Sequence, residues 1–140
     1  MTRTKLLWQN DFVELRESNN SLSGIAIAKT NYIPIENFKE AFLKASFLAN
    51  LGKWNYFIFD KSNLDTFHQP SMEWYYTNWK RDLVKKGVNK HFKILPELPW
   101  FETSVKAGLH EIKLKNPNFD FSAFSVTYFN NLKEALKEVR

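Results

Sequence analysis

The chain has 140 residues, a formal net charge of +5 and no cysteine. This length is typical of one self-sufficient domain, so residues 1–140 are predicted to form a single domain. The lack of cysteine excludes disulfides, thiolate zinc sites and thiol nucleophiles. The longest apolar run near the N-terminus, Leu6 to Trp8, is too short for a signal peptide, and no run reaches the length of a membrane span. We therefore expect a cytoplasmic protein without a membrane span.

The basic residues concentrate between Lys80 and Lys93, where Asp82 is the only acid. Such a stretch favours acidic partners in general, including nucleic acid. No nucleic-acid-binding motif accompanies it, so we interpret it as the solvent-facing side of a helix and disfavour a nucleic-acid partner. The basic residues are Lys80, Arg81, Lys85, Lys86, Lys90 and Lys93.

The first predicted elements form an antiparallel hairpin. Phe12–Arg16 alternates apolar and polar residues, Ser18–Ser21 has turn chemistry, and Gly24–Ala28 follows as a second strand. The first of these strands is predicted to be the edge of the sheet.

Helices and strands then alternate to the end of the chain. Apolar residues at helical spacing predict a helix from Pro34 to Gly52 and another from Pro70 to Gly87. A third is predicted from Phe101 to Leu114, although Gly108 disfavours it, and Asn131 with Glu134 resembles a capping box that begins the last helix. The strands between them are Tyr56–Phe59, Asn89–Leu95 and Ala123–Phe129.

This order, ββαβαβαβα, predicts an α/β fold with a five-stranded, mostly parallel sheet and about four helices. Crossover connections between parallel strands are almost always right-handed and lay helices over the sheet. The run Tyr56–Phe59 is apolar throughout, which is typical of a strand buried on both faces. Binding sites in such folds lie beyond the carboxyl ends of the strands, here beyond Asp60.

Several segments resemble the STAS-like, or SpoIIAA-like, proteins, in particular the stand-alone bacterial branch. The segments that carry the resemblance are Phe57–Asp60, helix two with Pro70 and Trp74, Lys86–Lys90, Val126–Asn130 and Leu132–Leu136. The resemblance implies the SpoIIAA-like fold and a regulatory role through protein binding.

In the family's anti-sigma-factor antagonists, a serine at the start of the helix after this strand is phosphorylated, within a motif of aspartate, two serines and glycine. This chain has Asp65 to Ser71 at the matching place and lacks the motif. Ser71 and Thr66 are the nearby hydroxyls and the only candidates for phosphorylation that the resemblance suggests.

Polar residues follow the buried strand within eight positions: Asp60, Ser62, Asp65, Thr66 and His68. They could supply an acid, a base and a hydroxyl at one edge. The alternative, which we favour, is turn chemistry, in which such side chains bond nearby backbone amides. His68, His91 and His110 lack metal-ligand spacing, and nucleotide-binding and hydrolase motifs are absent, so no metal and no cofactor are predicted.

Aromatic residues surround this edge in greater number than one buried stripe needs. They are Trp74, Tyr75, Tyr76, Trp79, Trp100 and Phe101. They would either form a protein interface or line an apolar pocket, or they complete the core.

The sequence leaves three functional hypotheses. The first is a non-enzymatic module that docks to a protein partner, or to itself as a homodimer, through helix two and the loop from Asp60 to Ser71. The second is a carrier of an apolar or lipid-like small molecule, because the CRAL-TRIO lipid-binding domains share a related topology. The third is an enzyme that uses Asp60 or His68.

Overall fold

The computed structural model describes residues 3–118 and 125–140, and within them it forms one mixed sheet with helices on both faces. The sheet has six strands in the order β1-β2-β3-β4-β5-β6. The strands β1 to β3 pair antiparallel, and β3 to β6 pair parallel. Their bounds are β1 Thr4–Gln9, β2 Val13–Ser18, β3 Ser23–Ala28, β4 Tyr56–Asp60, β5 Lys90–Ile94 and β6 Ser125–Phe129.

Helices connect the parallel strands and follow the last one. The first, α1, spans Ile35–Leu51. Next come α2 (Gln69–Trp74), a π-helical segment (Tyr75–Lys80) and α3 (Arg81–Lys85), which follow one another without a break and which we call together the 69–85 helix. The remaining helices are α4, Pro99–Lys115, and α5, Leu132–Lys137.

Two apolar layers flank the sheet. The larger contains residues of α1, the 69–85 helix and α4 packed on Phe57 and Phe59, and the smaller packs α5 on Tyr56 and Ile58. Because the parallel strands lie side by side in chain order, crossovers of one hand place the connecting helices on the same face. Every residue of β4 is buried, so the predicted interior position of Tyr56–Phe59 is confirmed.

Local signals end the helices where the sequence predicts. Gly87 adopts φ 89° just after the 69–85 helix, a left-handed conformation that glycine takes without strain. The N–H of Gly52 donates to the Leu48 carbonyl at the end of α1. The Asn131 side chain accepts a hydrogen bond of 2.9 Å from the Glu134 N–H, which confirms the predicted cap of the last helix.

The α/β class and the largely parallel sheet are confirmed, but the count of five strands is wrong. Strand β1 was not predicted, and it, rather than the strand around Phe12–Arg16, forms the sheet edge. A register shift between Leu6 and Trp8 interrupts the alternation of side chains along β1, and no residue of β1 is fully buried. The period of two that reveals a strand is therefore missing. Of the predicted strand Ala123–Phe129, residues 123 and 124 lie outside the described residues.

The third helix forms despite Gly108, and packing explains the glycine. A Cβ at Gly108 would overlap Gln69 Oε1 and would lie 2.7 Å from Phe67 Cζ. Gln69 Nε2 also donates to the Gly108 carbonyl at 3.1 Å. The close approach of α4 to α2 therefore needs a residue without a side chain here. No helix in the described ranges is both long and apolar enough to cross a membrane.

We expect Gly108→Ala to lower the free energy of unfolding by about 1–3 kcal/mol, because the added methyl group overpacks the contact with Gln69 and Phe67. Helix propensity alone predicts the opposite, a gain of about 1 kcal/mol. Urea denaturation measures the difference. The exposed neighbour provides the control, since Ala107→Gly should cost about 1 kcal/mol through propensity alone. A more stable Gly108→Ala protein would contradict the packing explanation.

Candidate functional site

A pocket opens beyond the carboxyl end of β4, where parallel sheets usually bind ligands. Its cavity volume is about 60 Å³. We call it the carboxyl-edge pocket. Its lining combines the chain after β3, Phe38 of α1, the chain after β4 and the first turns of the 69–85 helix. The lining residues are Tyr32, Ile33, Phe38, Phe59, Lys61, Thr66, Phe67, His68, Ser71, Met72, Tyr75 and Tyr76.

Five residues of the sequence-predicted edge meet in this pocket: Thr66, His68, Ser71, Tyr75 and Tyr76. His68 and Ser71 are in direct contact, with Nδ1 of the imidazole 2.8 Å from the Ser71 hydroxyl oxygen. The same Nδ1 accepts the Ser71 backbone N–H at 3.3 Å, so His68 caps the helix N-terminus. The contact therefore has a structural role of the kind that the turn-chemistry interpretation favours.

The two candidate phosphorylation sites differ in exposure. Ser71 is buried, with its hydroxyl held against His68. Thr66 is exposed, and its hydroxyl donates to Asp65 Oδ1 at 2.9 Å. A kinase would reach Thr66 directly, whereas Ser71 requires local opening of the helix start.

Asp60, Ser62 and Asp65 do not line the pocket. Asp60 shares the alternation of Tyr56 and Ile58, so its side chain points to the α5 face of the sheet. Its Oδ1 accepts the Ser62 N–H at 3.0 Å, which closes a turn. Asp65 is exposed and accepts a hydrogen bond from Asn31. These carboxylates stabilise the loop rather than gather at one site.

The predicted aromatic residues separate into core and surface. Tyr75, Tyr76 and Trp79 are buried, and the Trp79 indole donates to the Phe42 carbonyl. Trp74 is partly buried and lies at a groove between α1 and the 69–85 helix. Trp100 is exposed at the start of α4 and does not line the carboxyl-edge pocket.

The sequence predicts that the basic stretch is the solvent-facing side of one helix. This prediction is wrong for Lys80 and Lys93. Lys80 and Lys93 are 0% and 1% exposed, while Arg81, Lys85 and Lys90 are exposed. Lys93 pairs with Phe59 in the sheet and shares its side-chain direction, toward the 69–85 helix. Lys80 follows Tyr75 by five residues in the π-helical segment, whose period places both on the sheet-facing side.

Buried amines and phenols form a cluster beneath the 69–85 helix. Lys93 Nζ donates to the Tyr76 hydroxyl at 2.8 Å and lies 4.7 Å from the centre of the Tyr75 ring. Lys80 Nζ lies 4.9 Å from the centre of the Tyr76 ring. Lys61, which was not predicted as a site residue, lines the carboxyl-edge pocket. The sequence signal that could have revealed this cluster is Lys93, a charged residue between the apolar residues Phe92 and Ile94 of a predicted strand.

Burial changes the proton affinity of the cluster. It lowers the pKa of Lys93 to about 7. Burial, followed by the charges of Lys93 and Lys61, lowers the pKa of Lys80 to about 5. Burial and then the Lys93 charge lower the pKa of Lys61 well below its usual value. Burial also raises the pKa of Tyr76 to about 12, so the phenol remains protonated at neutral pH.

Metal binding finds no support in the ranges that the structure covers, because no three His, Asp or Glu residues there lie close enough together to hold an ion.

No protein-family model, no curated protein and no solved structure matches the chain. The resemblance to STAS-like proteins therefore stays a prediction.

The stability of the protein should rise with pH above neutrality. The folded pKa of Lys93 is about 7 against an ordinary value of 10.5, so between these values the unfolded chain binds more protons than the folded one. Raising the pH across this window favours folding, by up to about 1.4 kcal/mol per pH unit for one full proton. Urea denaturation between about pH 7 and pH 9 measures this slope.

Lys93→Met should reduce the slope, because it removes one of the three lysines with a lowered pKa and also a charge that, after burial, lowers the pKa of the other two, Lys61 and Lys80. Lys53→Met, at an exposed lysine, is the matched control and should retain the full slope. An unchanged slope in Lys93→Met would show that Lys93 titrates normally in the folded protein.

Proposed function

We propose that this protein is a non-enzymatic binding module that docks an acidic amphipathic helix of a partner protein. The proposed surface is the groove between α1 and the 69–85 helix, together with the exposed apolar stripe beside it. This stripe is the observation that carries the proposal. The STAS-like resemblance, which implies a regulatory role through protein binding, is consistent with it.

The stripe consists of Leu43, Phe47 and Leu51, which follow each other at four-residue spacing on α1. Their exposed fractions are 60%, 53% and 71%. Single exposed apolar residues are ordinary, but a row of three large ones on one helix is typical of an interaction site.

The groove continues this apolar surface toward the 69–85 helix. Leu43, Trp74 and Trp79 line it, and its volume is about 380 Å³. A groove between two helices beside an apolar row suits a third amphipathic helix, which anchors in it through side chains spaced three and four residues apart. Trp74 and Trp79 are thus the residues of the predicted aromatic edge that line this groove.

The rim of the groove is cationic, which defines the partner's chemistry. Arg81 and Lys85 line it and are exposed, and Lys44 lies with Nζ 5.1 Å from the Phe47 ring. The acid in the groove, Asp82, is paired with Lys86 at 2.9 Å. Hydrogen bonds from Ser46 and Lys86 lower the pKa of Asp82, so its carboxylate is ionised at neutral pH and its charge is balanced by Lys86. A partner with acidic residues flanking its apolar face complements this rim.

The same charges argue against self-association through this surface, because two copies would bring cationic rims together. The carboxyl-edge pocket does not favour the lipid-carrier alternative, because ligand pockets for drug-sized molecules usually exceed about 300 Å³ and this pocket, at about 60 Å³, is much smaller. Binding, rather than bond-making, is the function that this surface supports best.

Phe47→Glu should weaken binding of an acidic amphipathic helical peptide by at least about tenfold, since it places a charge in the apolar centre of the contact. Fluorescence anisotropy with a labelled peptide of leucine, phenylalanine and glutamate measures the affinity. Arg81→Glu should also weaken binding and reduce its salt dependence. Leu114→Glu on α4, where the leucine is 69% exposed, is the matched control and should bind like the unmodified protein.

A scrambled peptide of the same composition should not bind, because its apolar residues no longer share one helical face. Equal binding of the scrambled peptide, or an equal loss in Leu114→Glu, would refute the proposal. A dimer in light scattering that Phe47→Glu dissociates would identify a second copy as the occupant instead. Nucleic-acid binding that Arg81→Glu abolishes, without peptide binding, would likewise replace it.

A further inference from the structure

We propose that the carboxyl-edge pocket binds a small organic anion, a carboxylate that carries a short apolar group, with the carboxylate placed between Lys61 and the Tyr75 and Tyr76 hydroxyls. The site is distinct from the docking groove, and the proposal does not depend on the one above.

The first observation is a buried phenol that makes no hydrogen bond within the part of the chain that the structure describes. Tyr75 is 3% exposed, lines the pocket, and its hydroxyl has no partner there. A buried hydroxyl without a partner is costly to the fold and rare in folded proteins. An oxygen acceptor bound in the pocket would accept the Tyr75 O–H.

The second observation is a pair of lysine amines at the pocket, which an anion would stabilise in their charged forms. Lys61 lines the pocket, and Lys93 reaches it through Tyr76, whose hydroxyl oxygen accepts the Lys93 Nζ at 2.8 Å. Across residues 3–118 and 125–140, neither Lys61 nor Lys93 forms an ion pair. Lys93 is buried and Lys61 is partly buried, and an amine in such a place favours its charged form only when an anion offsets the lost hydration. A carboxylate beside them would supply the missing negative charge.

The pocket also has apolar lining residues, which set the rest of the ligand. They are Ile33, Phe38, Phe59, Phe67 and Met72. The cavity volume of about 60 Å³ exceeds what one water needs and is well below the roughly 150 Å³ of a cavity that holds benzene. A short aliphatic chain therefore fits, whereas an aromatic ring or a long acyl chain does not.

A bare inorganic anion fits less well than a carboxylate with a chain. The Ser71 backbone N–H at the pocket is already engaged by His68, so the helix start does not offer it to a phosphate. A phosphate would also leave the apolar lining residues without a contact. The pocket matches a ligand with one charged end and one apolar end.

Isothermal titration calorimetry with sodium propionate tests the site. We expect saturable binding, and at least tenfold weaker binding of propionamide, which has the same shape without the charge, and of inorganic phosphate, which lacks the chain. Lys61→Met and Tyr75→Phe should each weaken propionate binding at least tenfold. Lys53→Met and Phe47→Glu, which lie outside the pocket, should leave it unchanged.

A proton readout separates this role from a structural one. An anion in the pocket favours the charged forms of Lys61 and Lys93, so binding should take up protons, and the apparent enthalpy should change with the ionisation enthalpy of the buffer. Lys61→Met should reduce this uptake. Tyr75→Phe removes a single oxygen and should fold even if Lys61→Met does not, which its thermal unfolding transition would verify.

Three results would overturn the proposal: no saturable heat with propionate, equal affinity for propionamide or phosphate, or a folded Tyr75→Phe protein with unchanged affinity. Because Phe47→Glu disables the docking groove and spares the pocket, failure of one proposal does not imply failure of the other.

Discussion

The structure depends on the complete burial of β4 between two apolar layers. Phe57 and Phe59 pack under the three connecting helices, while Tyr56 and Ile58 pack against α5. A strand buried on both faces must lie inside the sheet, with parallel neighbours whose crossovers place the helices. This interior position directs the chain after Asp60 to one rim, where it meets the first turn of the 69–85 helix and the chain after β3. The candidate pocket is a consequence of that geometry.

The buried lysines are the most costly feature of this architecture. Lys80 and Lys93 occupy positions on the sheet-facing side where a leucine or methionine would pack without losing hydration. Contacts with Tyr75 and Tyr76, including the hydrogen bond from Lys93, compensate part of the cost. Buried lysines beside a pocket lower the stability of the fold. Binding sites commonly contain groups of this kind.

Local patterns predicted some elements because the deciding forces are local. Gly87 ends its helix through its own backbone conformation, and Asn131 caps the next through a bond three residues away. Other features escaped prediction because distant residues decide them. Strand β1 becomes recognisable only through its pairing with β2, and Gly108 is explained only by the approach of Gln69 and Phe67. The exposed row on α1 was also missed, because helical spacing places Phe42 on the buried face but only the tertiary structure shows that Leu43 stays exposed.

The sequence alone determined the α/β class, the interior strand and the region in which a pocket forms, since composition and periodicity depend on near neighbours along the chain. Only the tertiary structure decided which side chains share that pocket. Asp60 and Lys61 are adjacent in the chain, yet the alternation of the strand sends the carboxylate to one face and the amine toward the other. The same packing hides Lys93 and exposes Lys90 on one strand, because the layers above and below the sheet, and not the residue type, decide which charge meets water.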